Sequence, residues 1–214
     1  MKKVIKYAAF SLLTLAFAFT SCENDETPVD QPTVSALEGM LINMNSIGNS
    51  TIVTDQTLLD AISTLDMDVG RVSRGDFHLP DGSVEERIYI GSDITITKEE
   101  LDILINAHQQ NRQYRTFNLV TGSNRTIDIL GYTGGSQALS SKAQTALQWA
   151  VDNYNNISTT LQFNLTFGTN FQAADMVVYD NTINNPGGGG GSAGFPNSAG
   201  EPNKFVQIYG LEGF

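Results

Sequence analysis

The spacing of apolar residues between positions 54 and 70 predicts the first helix of the chain. Apolar side chains recur at positions 58, 59, 62 and 65, which places them on one face of a helix. Thr54 or Asp55 precedes this run and offers a side-chain oxygen that can cap it. We therefore expect a helix that starts after one of these two residues and ends near Gly70.

The next segment alternates between apolar and polar residues, a pattern typical of strands. A turn sequence at 80–82 precedes apolar residues at positions 84, 88 and 90 and then at 94 and 96, so we expect short strands there. Thr97 and Glu100 follow the capping-box pattern. This pattern predicts a second helix whose Leu101 and Leu104 face the core.

From position 112 the pattern changes to strand, helix and further strands. A helix is expected to begin at Ser140 or Ser141 and to carry an apolar stripe as far as Ile157. The segments expected to form strands are 117–120, 126–132, 161–167, 176–179, 193–195 and 205–209. A right-handed strand-helix-strand crossover is the simplest connection between them. The predicted fold class is α+β, with a small N-terminal helix and hairpin region followed by a twisted, mixed β-sheet with one crossover helix.

The first 22 residues resemble an export signal. Lysines at positions 2, 3 and 6 precede an apolar run from Ala8 to Phe19, which is too short to span a bilayer. Small residues directly before Cys22 resemble the lipobox of bacterial lipoproteins, in which the signal peptide, here 1–21, is removed and the cysteine is lipidated. An ordinary signal peptide with a chance cysteine is the alternative.

The segment that follows is acidic and contains prolines, so residues 22–32 are expected to form a flexible linker. Acidic residues just after the cysteine resemble the surface-export signal of Bacteroidetes-type lipoproteins. We therefore expect a lipid-anchored protein of the cell envelope, held on the outer membrane and exposed at the surface.

Composition excludes several classes of function. The 214 residues include 12 Lys and Arg against 23 Asp and Glu, a net charge of −11, so the chain lacks the basic clusters that bind a nucleic-acid backbone. A single cysteine cannot form an internal disulfide, and two histidines cannot supply a three-histidine zinc site. We expect no nucleic-acid partner and no metal ligand among these residues.

Two glycine-rich motifs overlap near the C-terminal end. Residues 189–194 match the dinucleotide pattern G-x-G-x-x-G, but Phe195 and Pro196 follow where that site needs a helix. Residues 190–194 match the nucleophile elbow G-x-S-x-G, with Ser192 as the nucleophile, but no histidine follows it along the chain. Both motifs are therefore interpreted as parts of a loop.

Two further sets of residues have a chemical and a structural interpretation. His108 lies one turn beyond apolar residues of the second predicted helix, and His78 lies beside the 80–82 turn, so both are interpreted as structural. The oxygen-bearing residues that flank the glycine loop are Asp175, Asp180, Asn181 and Asn184. They offer calcium ligands but lack the regular spacing of a calcium loop, which favours solvated turns.

Segments from position 112 onward resemble one family when they are taken in order. They are R-Q-Y-R-T-F-N-L-V at 112–120, A-V-D-N-Y-N-N-I at 150–157, L-Q-F-N-L-T-F at 161–167, A-D-M-V-V at 174–178, G-G-G-S-A-G-F-P at 189–196 and V-Q-I-Y at 206–209. Together they resemble the dual-action HEIGH metallo-peptidases of Bacteroidetes-type lipoproteins. Upstream, I-G-S-D-I-T-I-T-K-E-E-L at 90–101 is similar to the segment that precedes the enzyme domain in that family.

The resemblance implies a metzincin-like fold, in which a helix bearing H-E-x-x-H holds zinc and zinc-activated water hydrolyses peptide bonds. These 214 residues contain no H-E-x-x-H. We therefore expect 112–214 to form an incomplete, N-terminal part of a metallopeptidase-like domain, and 33–111 to form a pro-region or accessory domain. The expected product is inactive and exposes apolar sheet residues such as Phe163, Phe167 and Val177.

One element of the site is expected within the chain. In metzincin-like enzymes the strand that borders the cleft pairs with substrate backbone, and the matching residues here are Ser192, Ala193, Gly194 and Phe195. A plain glycine-rich loop is the alternative for this segment. The leading expectation is the N-terminal portion of a zinc metallopeptidase whose partners are a membrane, through the lipid anchor, and a peptide or protein substrate. The alternative function is a non-enzymatic surface lipoprotein that binds peptides or a cell-envelope component.

Overall fold

The computed structural model of the protein describes residues 50–91, 93–111, 118–185 and 190–210. Within these ranges, α-helices and two β-sheets form an α+β fold, which confirms the predicted fold class. The helices are α1 (Gln56–Ser63), α2 (Lys98–Asn111) and α3 (Ser141–Asn155). The strands are β1 (Thr51–Ile52), β2 (Val72–His78), β3 (Val84–Ile90), β4 (Ile94–Ile96), β5 (Thr126–Tyr132), β6 (Gln162–Gly168), β7 (Met176–Asp180), β8 (Gly190–Ser192) and β9 (Phe205–Tyr209). The predicted signal peptide, the linker and Cys22 lie outside the described residues.

The first sheet is antiparallel and keeps chain order, β1-β2-β3-β4. Helices α1 and α2 pack on one of its faces around a buried apolar cluster. The cluster consists of Leu58, Ile62, Val72, Ile88, Ile90, Ile96, Leu101 and Leu104. Since side chains alternate along a strand, Ile88 and Ile90 face the helices while Tyr89 faces the opposite side. This opposite face meets the second sheet.

The two helix starts in this part follow the capping signals of the sequence. Asp55 caps α1, because its carboxylate accepts a hydrogen bond from the N–H of Thr57 at 3.0 Å. The N–H of Thr97 donates to the Glu100 carboxylate at 2.9 Å, and the N–H of Glu100 donates to the Thr97 hydroxyl at 3.1 Å. This exchange is the predicted capping box of α2.

Helix α1 ends earlier than predicted. Its last residue is Ser63, and Asp66 adopts a φ of 55°, a left-handed conformation that interrupts a right-handed helix. The prediction of an end near Gly70 was therefore wrong. The sequence also did not single out β2, because its two apolar side chains, Val72 and Phe77, point to opposite faces of the sheet and leave no regular alternation.

The second sheet is mixed and has the order β6-β5-β7-β9-β8. Pairing is parallel except between β9 and β8, which are antiparallel. Helix α3 connects β5 to its parallel neighbour β6 and is capped by Ser140, whose hydroxyl accepts from the N–H of Ala143 at 3.2 Å. The predicted crossover helix and the strands at 126–132, 161–167, 176–179 and 205–209 are confirmed.

Two predicted strands differ from the structure. Residues 118–120 have no regular structure, while 117 lies outside the described residues. Leu119 is 58% exposed, so no sheet surface is present for its apolar side chain to pack against. The strand predicted at 193–195 is displaced to Gly190–Ser192, and of the three predicted residues only Ala193 takes part in pairing, through an isolated bridge to Ile94.

The two sheets face one another through a layer of aromatic rings. The ring centroid of Phe205 in β9 lies 6.4 Å from that of Phe77 in β2 and 6.3 Å from that of Tyr179 in β7. The backbone carbonyl of His78 accepts hydrogen bonds from the Tyr179 hydroxyl at 2.8 Å and from the Gln207 amide at 3.3 Å. The first sheet therefore covers one face of the second, and α3 packs on the other.

This packing corrects the expectation of an exposed sheet face. Val177 lies under the first sheet and is fully buried, whereas Phe163 is partly buried and Phe167 is 40% exposed at the edge strand β6. The apolar stripe of α3 is buried at Ala143 and Val151, but Ile157 lies beyond the helix and is 55% exposed. No helix among the described residues has the length and apolar content needed to cross a bilayer.

Candidate peptide-binding edge

The structure brings the four residues of the predicted substrate-binding segment to the junction of the two sheets. Ser192 ends β8, the antiparallel edge strand of the second sheet, and is 3% exposed. Ala193 and Gly194 continue past the strand, and Phe195 packs against the apolar cluster that α1 and α2 share with the first sheet. The segment therefore joins the edge strand of the second sheet to the apolar cluster of the first sheet.

The backbone of Ala193 is already paired with β4. Its N–H donates to the carbonyl of Asp93 at 2.9 Å, and its carbonyl accepts from the N–H of Thr95 at 3.0 Å. Gly194 lies against the same strand, since a Cβ placed there would be 2.9 Å from the Thr95 carbonyl oxygen. A side chain at Gly194 would therefore collide with β4.

The overlapping glycine motifs carry neither of their possible chemistries in this geometry. A nucleophile elbow or a dinucleotide turn opens a helix, but no helix starts between Ser192 and β9. The Ser192 hydroxyl is buried and forms no hydrogen bond to a histidine within the described residues. Ser192 thus lacks the base that would activate a nucleophile.

The oxygen-bearing residues near the glycine loop form hydrogen bonds to other protein groups. The Asp175 carboxylate accepts from the N–H of Asp128 at 2.8 Å, and the Asp180 carboxylate accepts from the N–H of Thr182 at 2.8 Å. The Asn181 side-chain carbonyl accepts from the Gln137 amide at 2.9 Å. The prediction of solvated turns holds for Asp180, but Asp175 and Asn181 bond residues more than forty positions away along the chain, and Asn181 is buried.

The layer between the sheets contains buried phenol groups that have no signal in the sequence. Burial raises the pKa of the Tyr89 and Tyr179 hydroxyls, and it also raises the pKa of Tyr209. The Tyr89 hydroxyl donates to the carbonyl of Asp76 at 2.8 Å. Gln207 is fully buried and donates to the Tyr179 oxygen at 2.8 Å. The first of these hydrogen bonds lies within the first sheet and the second within the second sheet, and the raised pKa values keep the phenols neutral at neutral pH.

A polar cavity of about 430 Å³ also lies at the junction, lined by residues such as Arg87, Glu100, Asp175, Glu201 and Lys204. Sequence reasoning missed it, because Arg87 follows two glutamates and has the pattern of an exposed strand position. Its guanidinium carbon instead lies 3.9 Å from the ring centroid of Phe77. Glu100, Asp175, Glu201 and Lys204 all bond neighbouring protein groups, so the cavity adds no catalytic pair.

A sequence profile of the dual-action HEIGH metallo-peptidase family matches residues 88–214, more than half of the chain. The protein belongs to this family. The match confirms the resemblance and assigns a metallopeptidase-type domain to the chain. It begins at the C-terminal end of β3, so it includes β4, α2 and the whole second sheet. No curated protein and no solved structure matches the chain.

The family implies a metal ion, typically zinc, but the side chains of the described residues do not fit one. Within the described residues no group of three or more His, Cys, Asp and Glu is placed to hold a metal. The two histidines of the sequence lie on separate elements, His78 in β2 and His108 in α2. A catalytic zinc site needs three protein ligands and an open position for water. No step of a zinc mechanism can be assigned to these residues.

Proposed function

We propose that these 214 residues are the N-terminal portion of a lipid-anchored zinc metallopeptidase and that they have no peptidase activity by themselves. The observation that carries the proposal is the family match over 88–214 in a chain whose described side chains do not form a metal-binding group. The zinc ligands and the general base would then be supplied by residues outside these 214.

In this proposal the second sheet provides the frame of the active-site cleft, and Ser192–Phe195 forms its peptide-binding edge. An edge strand offers unpaired N–H and carbonyl groups, to which an extended peptide adds as a further strand. Small side chains at Ala193 and Gly194 let a second backbone approach closely. Residues 33–111 would serve as a pro-region or accessory domain.

The purified 214-residue protein is expected to show no chelator-sensitive cleavage of labelled casein, even with one equivalent of added zinc. Without three ligands, a zinc ion cannot be held and cannot activate water. Metal analysis after dialysis should find less than about a tenth of an equivalent of zinc, because tight binding needs the full ligand set.

The His78→Ala/His108→Ala variant is the matched control and should contain as little zinc as the parent. The proposal would be overturned if the parent contained stoichiometric zinc and this variant did not.

The coding sequence on either side of the 214 codons separates the two candidate functions. An in-frame H-E-x-x-H supports the peptidase, and an open reading frame without one supports the non-enzymatic surface lipoprotein.

Lipid anchoring makes a separate prediction. In a bacterial host that processes lipoproteins, the parent chain should be recovered in the membrane fraction, and Cys22→Ser should move more than about nine-tenths of it to the soluble fraction or leave it unprocessed, because the acyl chains supply the membrane affinity. Ser21→Ala keeps a small residue before Cys22 and is the matched control. Equal membrane association of the two variants, with the signal peptide removed from both, would contradict a lipid anchor at Cys22.

A further inference from the structure

The outward side of the Ser192–Phe195 segment is occupied by a strand of the same chain. Ile94 of β4 forms a parallel bridge with Ala193, and the two hydrogen bonds of this bridge use both the N–H and the carbonyl of Ala193. A backbone residue carries one donor and one acceptor on a given side of a strand. An incoming peptide would need the same two groups.

We propose that β4 acts as a built-in competitor for this edge, so that a peptide pairs with Ala193 only after β4 has been released. The inference rests on the proposed function of Ser192–Phe195 as a peptide-binding edge. It adds a regulatory step to that site, in which the N-terminal half of the chain closes the edge and its displacement opens it.

The geometry makes the two occupants mutually exclusive. Thr95 is completely buried, and its carbonyl oxygen would lie 2.9 Å from a Cβ at Gly194. Neighbouring strands need about 4.8 Å between their axes, so no second strand fits between β4 and this segment. A peptide must therefore replace β4 and cannot add beside it.

The contact between β4 and Ala193 is small enough to open. It is a single bridge, and within the described residues no longer ladder joins β4 to β8. The Thr95 hydroxyl is buried there without a hydrogen-bond partner, which disfavours the closed arrangement. Phe195, which packs against the first apolar cluster, favours it.

Release of β4 from Ala193 would leave the first sheet intact. Ile94 and Ile96 align with Ile90 and Ile88 of β3. Since N–H and carbonyl groups alternate sides along a strand, Thr95 points its own pair toward Ala193 and the residues on each side of it point theirs toward β3. The edge can therefore open without loss of the β3-β4 ladder.

Thr95→Pro tests this directly, because proline has no N–H to donate to Ala193 and its ring occupies the space of that hydrogen bond. Thr95→Val keeps the N–H and the shape of the side chain and is the matched control. The closed form is locked by a disulfide when the Ile94→Cys/Ala193→Cys variant is oxidised. Cys22→Ser is included so that no third thiol is present. Neighbouring strands lie about 4.8 Å apart, within the Cα separation of roughly 4.4–6.8 Å that a disulfide spans.

The probe is a fluorescein-labelled decapeptide of alternating serine and valine, with binding followed by fluorescence anisotropy. Thr95→Pro should bind it at least tenfold more tightly than the parent and Thr95→Val, because the affinity of an occluded site is reduced by the fraction that is open. The oxidised double-cysteine protein should not bind, and reduction of the same protein should restore binding. A decapeptide N-methylated at alternate residues should not bind any variant, since it cannot pair through its backbone.

The other possible results would show whether competition by β4 or peptide binding at the edge is the proposal that fails. Equal binding by the parent and Thr95→Pro, lost only in the oxidised protein, would show that the edge binds peptides but that β4 does not limit access to it. Equal binding by all variants, including the oxidised protein, would show that the peptide binds elsewhere. Absence of binding by every variant would overturn the peptide-binding function itself. If Thr95→Pro does not unfold cooperatively, the ratio of reduced to oxidised affinity of the double-cysteine protein decides.

Discussion

Replacing Phe77 with alanine is expected to lower the free energy of unfolding by about 3–5 kcal/mol. Phe77 is fully buried between the two sheets, and its ring is in edge contact with Phe205. The guanidinium of Arg87 lies 3.9 Å from the ring centroid. Truncation would leave a cavity and would also remove the aromatic face on which a buried cation rests. Urea denaturation followed by circular dichroism measures the change.

Two further variants serve as comparisons for Phe77→Ala. Val84→Ala changes a 49% exposed side chain of β3 and should cost less than about 1 kcal/mol. Phe77→Leu keeps an apolar side chain but removes the ring from Arg87, so an intermediate loss of about 1–2 kcal/mol is expected. A loss below about 1 kcal/mol for Phe77→Ala would show that the sheets do not depend on this ring. Two separate transitions in the parent would show that the halves unfold independently.

Local signals in the sequence predicted local structure well. The capping box at Thr97 placed one helix start correctly, and the caps of the other two helices fell within the predicted pairs 54–55 and 140–141, because a cap depends on residues within one turn. The strict alternation in β6 and the apolar run of β7 likewise gave the right strands. The parallel pairing of β5 with β6 followed from the helix between them, since parallel neighbours need a crossover.

The packing of one sheet on the other could not be predicted from these signals. Phe77 and Tyr89 occupy strands in which the alternation is interrupted by charged residues, so neither strand looked buried on two faces. The pairing of β4 with Ala193 joins residues about a hundred positions apart, and no spacing within a single sequence reveals such a contact. For this reason the sequence singled out residues 192–195 as a candidate edge but did not predict that Ala193 pairs with β4.

The sequence limits the possible metal site through its composition. Two histidines and one cysteine are too few for a three-histidine zinc site, and the described residues contain no group placed to hold a metal. The family match assigns a metallopeptidase-type domain to the chain. The described side chains supply no group of three metal ligands, so no step of zinc chemistry is assigned to them. Composition therefore limited the function more firmly than any motif did.

Stability is expected to fall steeply above pH 10, by about 3 kcal/mol at pH 11 from two phenols. Burial raises the pKa of Tyr89 and Tyr179 above the ordinary value of 10. At pH 11 both are ionised in the unfolded chain but still neutral in the folded protein, so proton release favours unfolding. Their contribution is fully present below pH 10 and is lost as the pH rises toward the folded pKa values.

Urea denaturation between pH 8 and pH 11 measures this loss, and absorbance at 295 nm reports phenol ionisation. Tyr89→Phe should remove about half of the slope, and at neutral pH it should cost about 1 kcal/mol because the carbonyl of Asp76 loses its donor. Sodium chloride at about 0.5 M screens repulsion between surface carboxylates but does not alter proton linkage, so the slope should persist in salt. If both phenols ionised near pH 10 while the protein stayed folded, the layer between the sheets would be open to water, and the face-to-face packing of the two sheets would be wrong.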